Sequence, residues 1–319
     1  MNFKKGSILI LTLWTLSFLT IFAVGVAFSA GSQLRLASHL QERLKLYYLA
    51  KAGIEKGIIE LKGDITPKYD SLNERWAKSD EYFKELPLDG GYITFSLTDE
   101  SSKININKAP VEILKSMLEN IAGLDSDTAS DIANAIIDWR DLDVFVSSGG
   151  AEDIYYEGLK VPYPCKSGEF QRVEELLLVK EMTPEVFSKI RDVITIYGDG
   201  KVNINTAPER TFGALGMSSD LAERIIEFRQ GKDLLDGTGD DVIFNTVGEI
   251  RNIGPLFIKE ADEINRLTSL DALSIKSDFY RIESSGILKK GERSLQRNIT
   301  CVVQRFSKKP AQILYWHED

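Results

Sequence analysis

At 319 residues, 43% of them hydrophobic and 27% charged, the chain is long enough and apolar enough to bury more than one core. Its 48 Asp plus Glu against 39 Lys plus Arg leave a formal net charge of −9, which opposes a polyanion partner, since phosphate binding needs clustered Lys and Arg. Two histidines, His39 and His317, and two cysteines, Cys165 and Cys301, are too few and too scattered for zinc chemistry or a catalytic triad, and they leave one disulfide or two free thiols equally open.

The first predicted element is a helix. Residues 6–34 carry no charge, and about twenty such residues suffice to cross a bilayer, so residues 7–34 read as a transmembrane segment. Lys4 and Lys5 precede it, and the retention of positive charge on the cytoplasmic side puts the N-terminus inside and the rest of the chain outside. The run is longer than the about 7–15 residues of a signal-peptide core, which argues against a cleaved secretory signal. Leu34, Leu36, Leu40, Leu44, Tyr47, Tyr48, Ala52, Ile54, Ile58 and Leu61 then recur at helical spacing with charged residues between them, extending the rod until Gly63, Asp64 and Pro67 end it.

A polar stretch to Leu88 follows, and then a strand in which Ile93, Phe95 and Leu97 alternate with Tyr92, Thr94, Ser96 and Thr98. Strand character returns near the C-terminus as two runs joined at Lys289, Lys290, Gly291 and Glu292, with residues 313–316 (ILYW) as a further candidate. Between these strands the chain reads as mostly helical. The expected fold is α+β: a long N-terminal helix, transmembrane in its first part, on a small antiparallel sheet, with a large α-helical insertion. The boundaries are a leader at 1–6, rod and first strands over 35–100, the insertion at 101–276 and closing strands over 277–319.

Inside the insertion KININKAP, residues 103–110, returns as KVNINTAP, residues 201–208, which marks two related copies, 101–197 and 199–270. In the first, Asn107 is expected to cap a helix that begins at Lys108-Ala109-Pro110, and Ala129, Ile132, Ala133, Ile136 and Ile137 line one face of the next. The second repeats the plan with Leu221, Ile225, Ile226 and Phe228. QRVEELLLVKEMTPEVFSKIRDVITIY and NTVGEIRNIGPLFIKEADEINRL each read as helix, turn, helix. The phrase also resembles the start of helix-hairpin-helix or SAM-like modules, many of which bind DNA. The turns IAGLDSD and LGMSSD, however, put acids where phosphate would sit, and only RNIGP suits a phosphate.

Asp141 and Asp143 end the second helix of the first copy, and Glu152 and Asp153 follow a glycine-bearing loop. Oxygen ligands on loops suit calcium, though the spacing is not an EF-hand, and a solvated acidic loop accounts for the pattern equally well. The same pairs lack the aromatic surroundings of a glycosidase. Residues 233–241 (DLLDGTGDD) read as a solvated turn. With no phosphate loop, nucleophile triad or zinc spacing in the sequence, the chain does not read as an enzyme.

The basic leader, Gly6, the long apolar helix and its amphipathic extension resemble a type IV prepilin. The segments YYLAKAGIEKG, NINKAP, AIIDWRDLD, GAEDIYY, VEELLLVKEMTPEVFSKIRDVITIY, VNINTAP and FYRIESSG, in this order over nearly the whole chain, resemble the K-type minor pseudopilins of bacterial type II secretion systems. The resemblance implies cleavage between Gly6 and Ser7 by a prepilin peptidase. It also implies filament packing through Leu11, Trp14, Phe18 and Phe22. Leu11 stands where ordinary pilins carry a glutamate, as suits a subunit with no neighbour above it. Further implications are calcium at Asp141, Asp143, Glu152 and Asp153; partnership with I-type and J-type minor pseudopilins and the major pseudopilin; contact with a secreted substrate or the secretin; and a single-pass place in the inner membrane with the bulk periplasmic. PYPCKSGEF departs from the polar, asparagine-containing loop of relatives, so no ligand carries over from there. A membrane-anchored helix-hairpin-helix DNA-binding protein of a competence or type IV pilus system is the alternative.

Overall fold

An apolar run that passes without a break into an amphipathic one makes a single continuous helix. In the computed structural model, which describes residues 4–64, 68–291, 293–306 and 309–319 with side chains of the first helix from Ser7 on, that helix is α1 (Lys4–Lys62), 59 residues long. Met1, Asn2 and Phe3 of the expected leader, Pro67 at the expected helix end and Glu292 in the expected hairpin turn lie outside the described residues. The large apolar side chains between residues 8 and 44 stand exposed, whereas Leu46, Leu49, Ala50, Ile54 and Leu61 are buried against the sheet. The helix therefore has an exposed apolar half and a half packed on the sheet.

In chain order the strands are β1 (Leu86–Leu88), β2 (Gly91–Asp99), β3 (Ile104–Asn105), β4 (Ile194–Thr195), β5 (Val202–Asn203), β6 (Leu273–Ser274), β7 (Phe279–Lys290), β8 (Arg293–Gln304) and β9 (Gln312–Glu318). β1, β2, β7, β8 and β9, in that order, form one antiparallel sheet. Ile93, Phe95 and Leu97 of β2 point inward with Tyr280 and Ile282 of β7 and Ile299, Cys301 and Val303 of β8, as the two-residue period demands. The β7–β8 turn falls within the expected join, with Lys289 and Lys290 still paired to Ser294 and Arg293 and Gly291 at the left-handed φ of 58° that a tight turn requires. β1 comes from the stretch read as polar; it is three residues long and contains Pro87, which suits only a sheet edge.

Helix and sheet touch backbone to backbone. A Cβ on Gly53 of α1 would lie 2.0 Å from Ser284 Oγ, and one on Gly286 of β7 would lie 2.3 Å from the Leu46 carbonyl oxygen and 2.7 Å from the Ala50 nitrogen. Glycine at these two positions is what lets the rod lie directly on β7.

The insertion leaves the sheet after Asp99 and returns before Tyr280, and those two residues are register partners. Besides α2 (Ser79–Tyr82) ahead of the sheet, its helices are α3 (Val111–Met117), α4 (Ser126–Arg140), α5 (Asp153–Glu157), α6 (Pro184–Ile190), α7 (Glu209–Ala214), α8 (Ser219–Gln230) and α9 (Ile258–Ser269). Copy one runs β3, α3, α4, a loop bearing α5, a 3-10 turn at Val173–Leu178, α6 and β4; copy two runs β5, α7, α8, a loop, a 3-10 turn at Val247–Asn252, α9 and β6. Each copy closes on itself through a parallel pair, β3 with β4 and β5 with β6, which carries copy two to Ser274 rather than 270. Both share one core, in which Leu114, Ile136, Phe212 and Ile225 are fully buried.

The repeated phrase is a clasp. Asn105 and Asn203 each accept, on the side-chain oxygen, the amide two residues on (2.8 and 3.1 Å), which turns the chain. The next asparagine then binds a distant backbone on both sides: Asn107 donates to the Phe170 carbonyl and accepts the Phe170 amide (2.9 and 2.7 Å), and Asn205 does the same with Phe244 (3.0 and 2.9 Å). Asn107 is therefore not a helix cap; Pro110 and Pro208, extended at ψ near 160°, occupy the cap positions of α3 and α7. An arginine at or next to the end of the following helix holds the same turn, Arg140 through the Ile106 and Ala109 carbonyls and Arg229 through that of Ala207 at 2.9 Å. Because Asn205 is wholly buried and Asn107 only partly, Asn205→Ala is expected to cost about 3 kcal/mol by stranding the Phe244 amide and carbonyl, and Asn107→Ala less than half of that. Urea unfolding of the full chain in detergent measures both, and equal losses would refute the clasp as the cause.

Candidate metal centre

The carboxylates of copy one are set by the clasp. Because Arg140 is tied to the turn at Ile106, α4 stops there, and Asp141 leaves in an extended conformation with its amide still on the Ile137 carbonyl (3.0 Å). Asp143 turns the chain by accepting the Phe145 amide at 2.8 Å. Buried Asp138 accepts the Ser147 amide at 3.1 Å, and a Cβ on Gly150 would lie 2.0 Å from its Oδ2, so the loop folds back tightly over the helix end. Lys180 fastens the fold by donating to the Gly149 carbonyl at 2.8 Å. The loop thus delivers Glu152, just ahead of α5, beside Asp141 and Asp143.

Carboxylate oxygens of Asp141, Asp143 and Glu152 all lie within 4.8 Å of one another. Glu152 is only 4% exposed, and both its Oε1 and the Oδ1 of Asp141 are buried without a hydrogen-bond partner among the described residues. Burial, joined by the nearby Asp138 and Asp141 charges, pushes the Glu152 carboxyl above its usual range; burial with Asp143 and Asp138 does the same for Asp141. Crowded carboxylates, two of whose oxygens are orphaned among the described residues and only one of which feels a cation, Arg140 beside Asp141, are what a hard cation would satisfy. An all-oxygen set fits calcium, which takes six to eight such ligands at varied geometry. Three of the four expected ligands therefore come together. Asp153 lies outside the trio and accepts the Cys165 amide at 2.7 Å.

Around the trio, Leu142, Val144, Phe145, Val146, Ile154 and Val161 stand 57–87% exposed, a concentration of large apolar side chains outside the rod. The matching loop of copy two differs. Asp240 accepts the Lys232 amide (2.7 Å), Asp241 those of Gly237 and Thr238 (2.8 and 3.1 Å), and Asp236 pairs with Arg229 (3.2 Å), so its acids close a turn on themselves.

A second polar cluster, unforeseen from sequence, joins the insertion to the sheet. Asp70, 1% exposed, accepts from the Tyr280 hydroxyl, from Arg305 at 2.6 Å and from the Ser277 amide at 2.9 Å. Arg305 also reaches Asp64 at 2.7 Å and stacks over the Tyr280 ring. Asn203 donates to both the Asp70 carbonyl and Asp99 (3.0 Å each), and Thr206 donates to Asp99 at 2.6 Å. Burial pushes Asp99 up to about 6. Beside it Glu100 is fully buried; Lys103 and Arg281 outweigh that burial and hold its carboxyl below the usual range. No short motif marks this junction, since its members lie up to 241 residues apart.

Cys165 sits in the core of the insertion and Cys301 in that of the sheet; both are free, and burial pushes their thiols to about 11 and 12. They are unreactive packing residues. Gly6 and Ser7 lie in the first turns of α1, and Leu11, Trp14, Phe18 and Phe22 are 62–74% exposed, three of them lining a shallow apolar groove of about 450 Å³.

The helix N-termini that a phosphate would need carry carboxylates instead. Asp125 accepts the Asp127 and Thr128 amides at the start of α4, Glu263 accepts the Ser218 amide ahead of α8, and Glu260 accepts the Phe257 amide at α9. This arrangement opposes a nucleic-acid backbone.

Residues 95–199 match the family model described as "Type II secretion system (T2SS), protein K", a span that nearly coincides with copy one. The protein named "Type II secretion system protein K" from Pectobacterium carotovorum subsp. carotovorum is 26% identical over 225 residues, which cover 65% of this chain and 67% of that one. Its namesake from Aeromonas hydrophila is 28% identical over 228 residues, 64% and 67% of the two chains. Among solved structures, "The Crystal Structure of the GspK-GspI-GspJ complex from enterotoxigenic Escherichia coli Type 2 Secretion System" aligns with a TM-score of 0.68 at 18% identity, over 89% of this chain and 99% of that chain. The α+β pilin-like fold is common to both.

Proposed function

Because the chain belongs to the type II secretion system protein K family, we propose that it is the minor pseudopilin that stands at the tip of the pseudopilus and starts its assembly. The observation that carries this reading is the divided rod. Over residues 8–44 the large apolar side chains of α1 stand exposed and belong to no core among the described residues, while the remainder of α1 packs on the sheet. Such a surface needs lipid before assembly and neighbouring rods after it. Cleavage between Gly6 and Ser7 would free it for packing, with Leu11, Trp14, Phe18 and Phe22 on the contact. Leu11 offers no carboxylate to a preceding subunit.

I-type and J-type minor pseudopilins are the proposed partners, in keeping with the complex named for the structural neighbour. The major pseudopilin would follow below. The insertion would crown the assembly, its exposed Leu142, Phe145 and Ile154 free to meet a secreted substrate or the secretin. The bulk would lie in the periplasm with the rod anchored in the inner membrane, and the action would be structural rather than enzymatic. Joining Asp99 to Tyr280 through a short Asn-Gly turn is geometrically clean because the two already pair. A chain trimmed in this way is expected to enter a co-expressed pseudopilus at internal positions as well as the tip; if it still appears only at the tip, the bulk of the insertion is not what ends the filament.

Calcium at Asp141, Asp143 and Glu152 would brace the loop after α4. Saturating calcium at about a hundred times its dissociation constant would add roughly 3 kcal/mol, or a melting shift of about 5 °C in the full chain in detergent. Asp141→Asn should abolish the shift. In chelator the same change should leave stability equal or higher, because it relieves repulsion among the three acids. Absence of a shift in the parent chain removes calcium from the proposal.

A further inference from the structure

The sheet has two edges, and they are built differently. β1 is three residues long and contains Pro87, so it offers little to another strand. β9 is seven residues long, contains neither proline nor lysine, and has no strand on its outer side among the described residues. Its one irregularity is at Leu314, the residue between the pairs Val303–Ile313 and Val302–Tyr315; from Tyr315 to Glu318 the edge is regular. Ile313 and Leu314 are 48% and 38% exposed.

Beside that edge, between the outer face of the sheet and copy one of the insertion, lies a cleft of about 610 Å³. Arg281 and Glu283 of β7 and Tyr315 and His317 of β9 form its floor, and Arg172 and Tyr197 belong to its roof. Two of its cations, Lys103 and Arg281, are committed to buried Glu100, and Arg191 lies 3.7 Å from Asp192. Arg172 is exposed and has no ion pair among the described residues, and the same holds for Glu174 and Glu283 of the cleft lining. Arg172 lies close enough to Tyr197 to act on its hydroxyl, as does Tyr315.

We propose that β9 is a docking edge for an extended polypeptide segment of a partner protein, which continues the sheet as a sixth strand and sets one acidic side chain into the cleft against Arg172. A strand laid alongside replaces water on the whole row of open backbone donors and acceptors at once. Alternate residues of that strand face the cleft, next to Tyr315 and His317, while the others extend the apolar surface of Leu314 and Trp316. Arg172 then favours an acid at that one position, Glu174 and Glu283 in the cleft lining disfavour further ones, and the backbone binds without regard to sequence. This contact uses neither the rod nor the carboxylate trio.

The probe is a fluorescein-labelled heptapeptide, Val-Thr-Val-Asp-Val-Thr-Val, added to the full chain in detergent micelles. Saturable binding is expected, with slowed hydrogen exchange confined to residues 312–318. Replacing the central Asp by Asn, or one Val by Pro, should weaken binding about tenfold each. In an Arg172→Gln chain the Asp and Asn peptides should bind alike while the proline peptide stays weaker. Absence of binding, equal binding of the proline peptide, or protection elsewhere than β9 would each overturn the proposal.

Discussion

Gly286→Val is expected to cost about 3 kcal/mol or more and to loosen α1 from the sheet without unfolding the insertion. The atoms a Cβ would meet are the Leu46 carbonyl oxygen at 2.3 Å and the Ala50 nitrogen at 2.7 Å, both helix backbone, with Leu49 Cβ at 2.8 Å. Backbone inside a hydrogen-bonded helix cannot turn aside as the end of a flexible side chain can, so the whole rod must move outward. That movement would open the packing of Ala50 and Ile54 on Phe95, Ile282 and Cys301. Gly25→Ala is the control, since nothing in the chain lies within 4 Å of that position. Urea unfolding followed at Trp139, within the insertion, and at Trp76, packed on Tyr280, separates the two regions. A Gly286→Val chain in which both report the parent midpoint would show that helix and sheet are not in the contact described.

Arg305→Met is expected to cost about 3–5 kcal/mol, the usual result of leaving buried carboxylates without their cation. Asp70 and Asp64 have side chains only 1% and 8% exposed, and Arg305 bonds both while also donating to the Ser277 carbonyl at 2.8 Å. Methionine keeps the length and the apolar stem but neutralises neither acid. Because Asn203 of copy two and Ser277 at the chain's return to the sheet both bind Asp70, the insertion should become looser relative to the sheet. The Trp76 signal, next to Tyr280, should therefore change at lower urea than that of Trp139. Arg305→Lys should recover part of the loss, since an ammonium keeps the charge but not the two-sided reach. If Arg305→Met leaves the midpoint at Trp76 unchanged, the junction does not hold the two parts together.

Much of the fold could be read in the chain because its signals are local. A run of uncharged residues longer than a bilayer, the alternation of Ile93, Phe95 and Leu97, and the helical spacing of Ala129, Ile132, Ala133 and Ile136 each report the solvent on two sides of one element. The repeat was visible as a phrase. What Asn107 does was not visible, because the helix-cap reading weighs only the next four residues, while its true partner, Phe170, is 63 residues away. The pairs at matching places, Arg140 with Arg229 and Phe170 with Phe244, were the available signal: each follows its own asparagine phrase, though at unequal distance.

The carboxylates divide along the same line. Composition and spacing put Asp141, Asp143, Glu152 and Asp153 in one neighbourhood, and that is as far as sequence distance reaches. Which of them converge depends on the return of the loop over α4, under the control of Gly150 against Asp138 and of Lys180 on Gly149. Asp153 was turned instead toward the Cys165 amide. By itself the sequence determined the elements, their order, the apolar rod and the duplication, because hydrophobic periodicity and length act within one segment. Only the tertiary structure decided which oxygens face one another, that both cysteines stay apart, and that Asp70, Asp99 and Arg305 join insertion to sheet, because those outcomes depend on distances between residues that the chain separates by up to 235 positions.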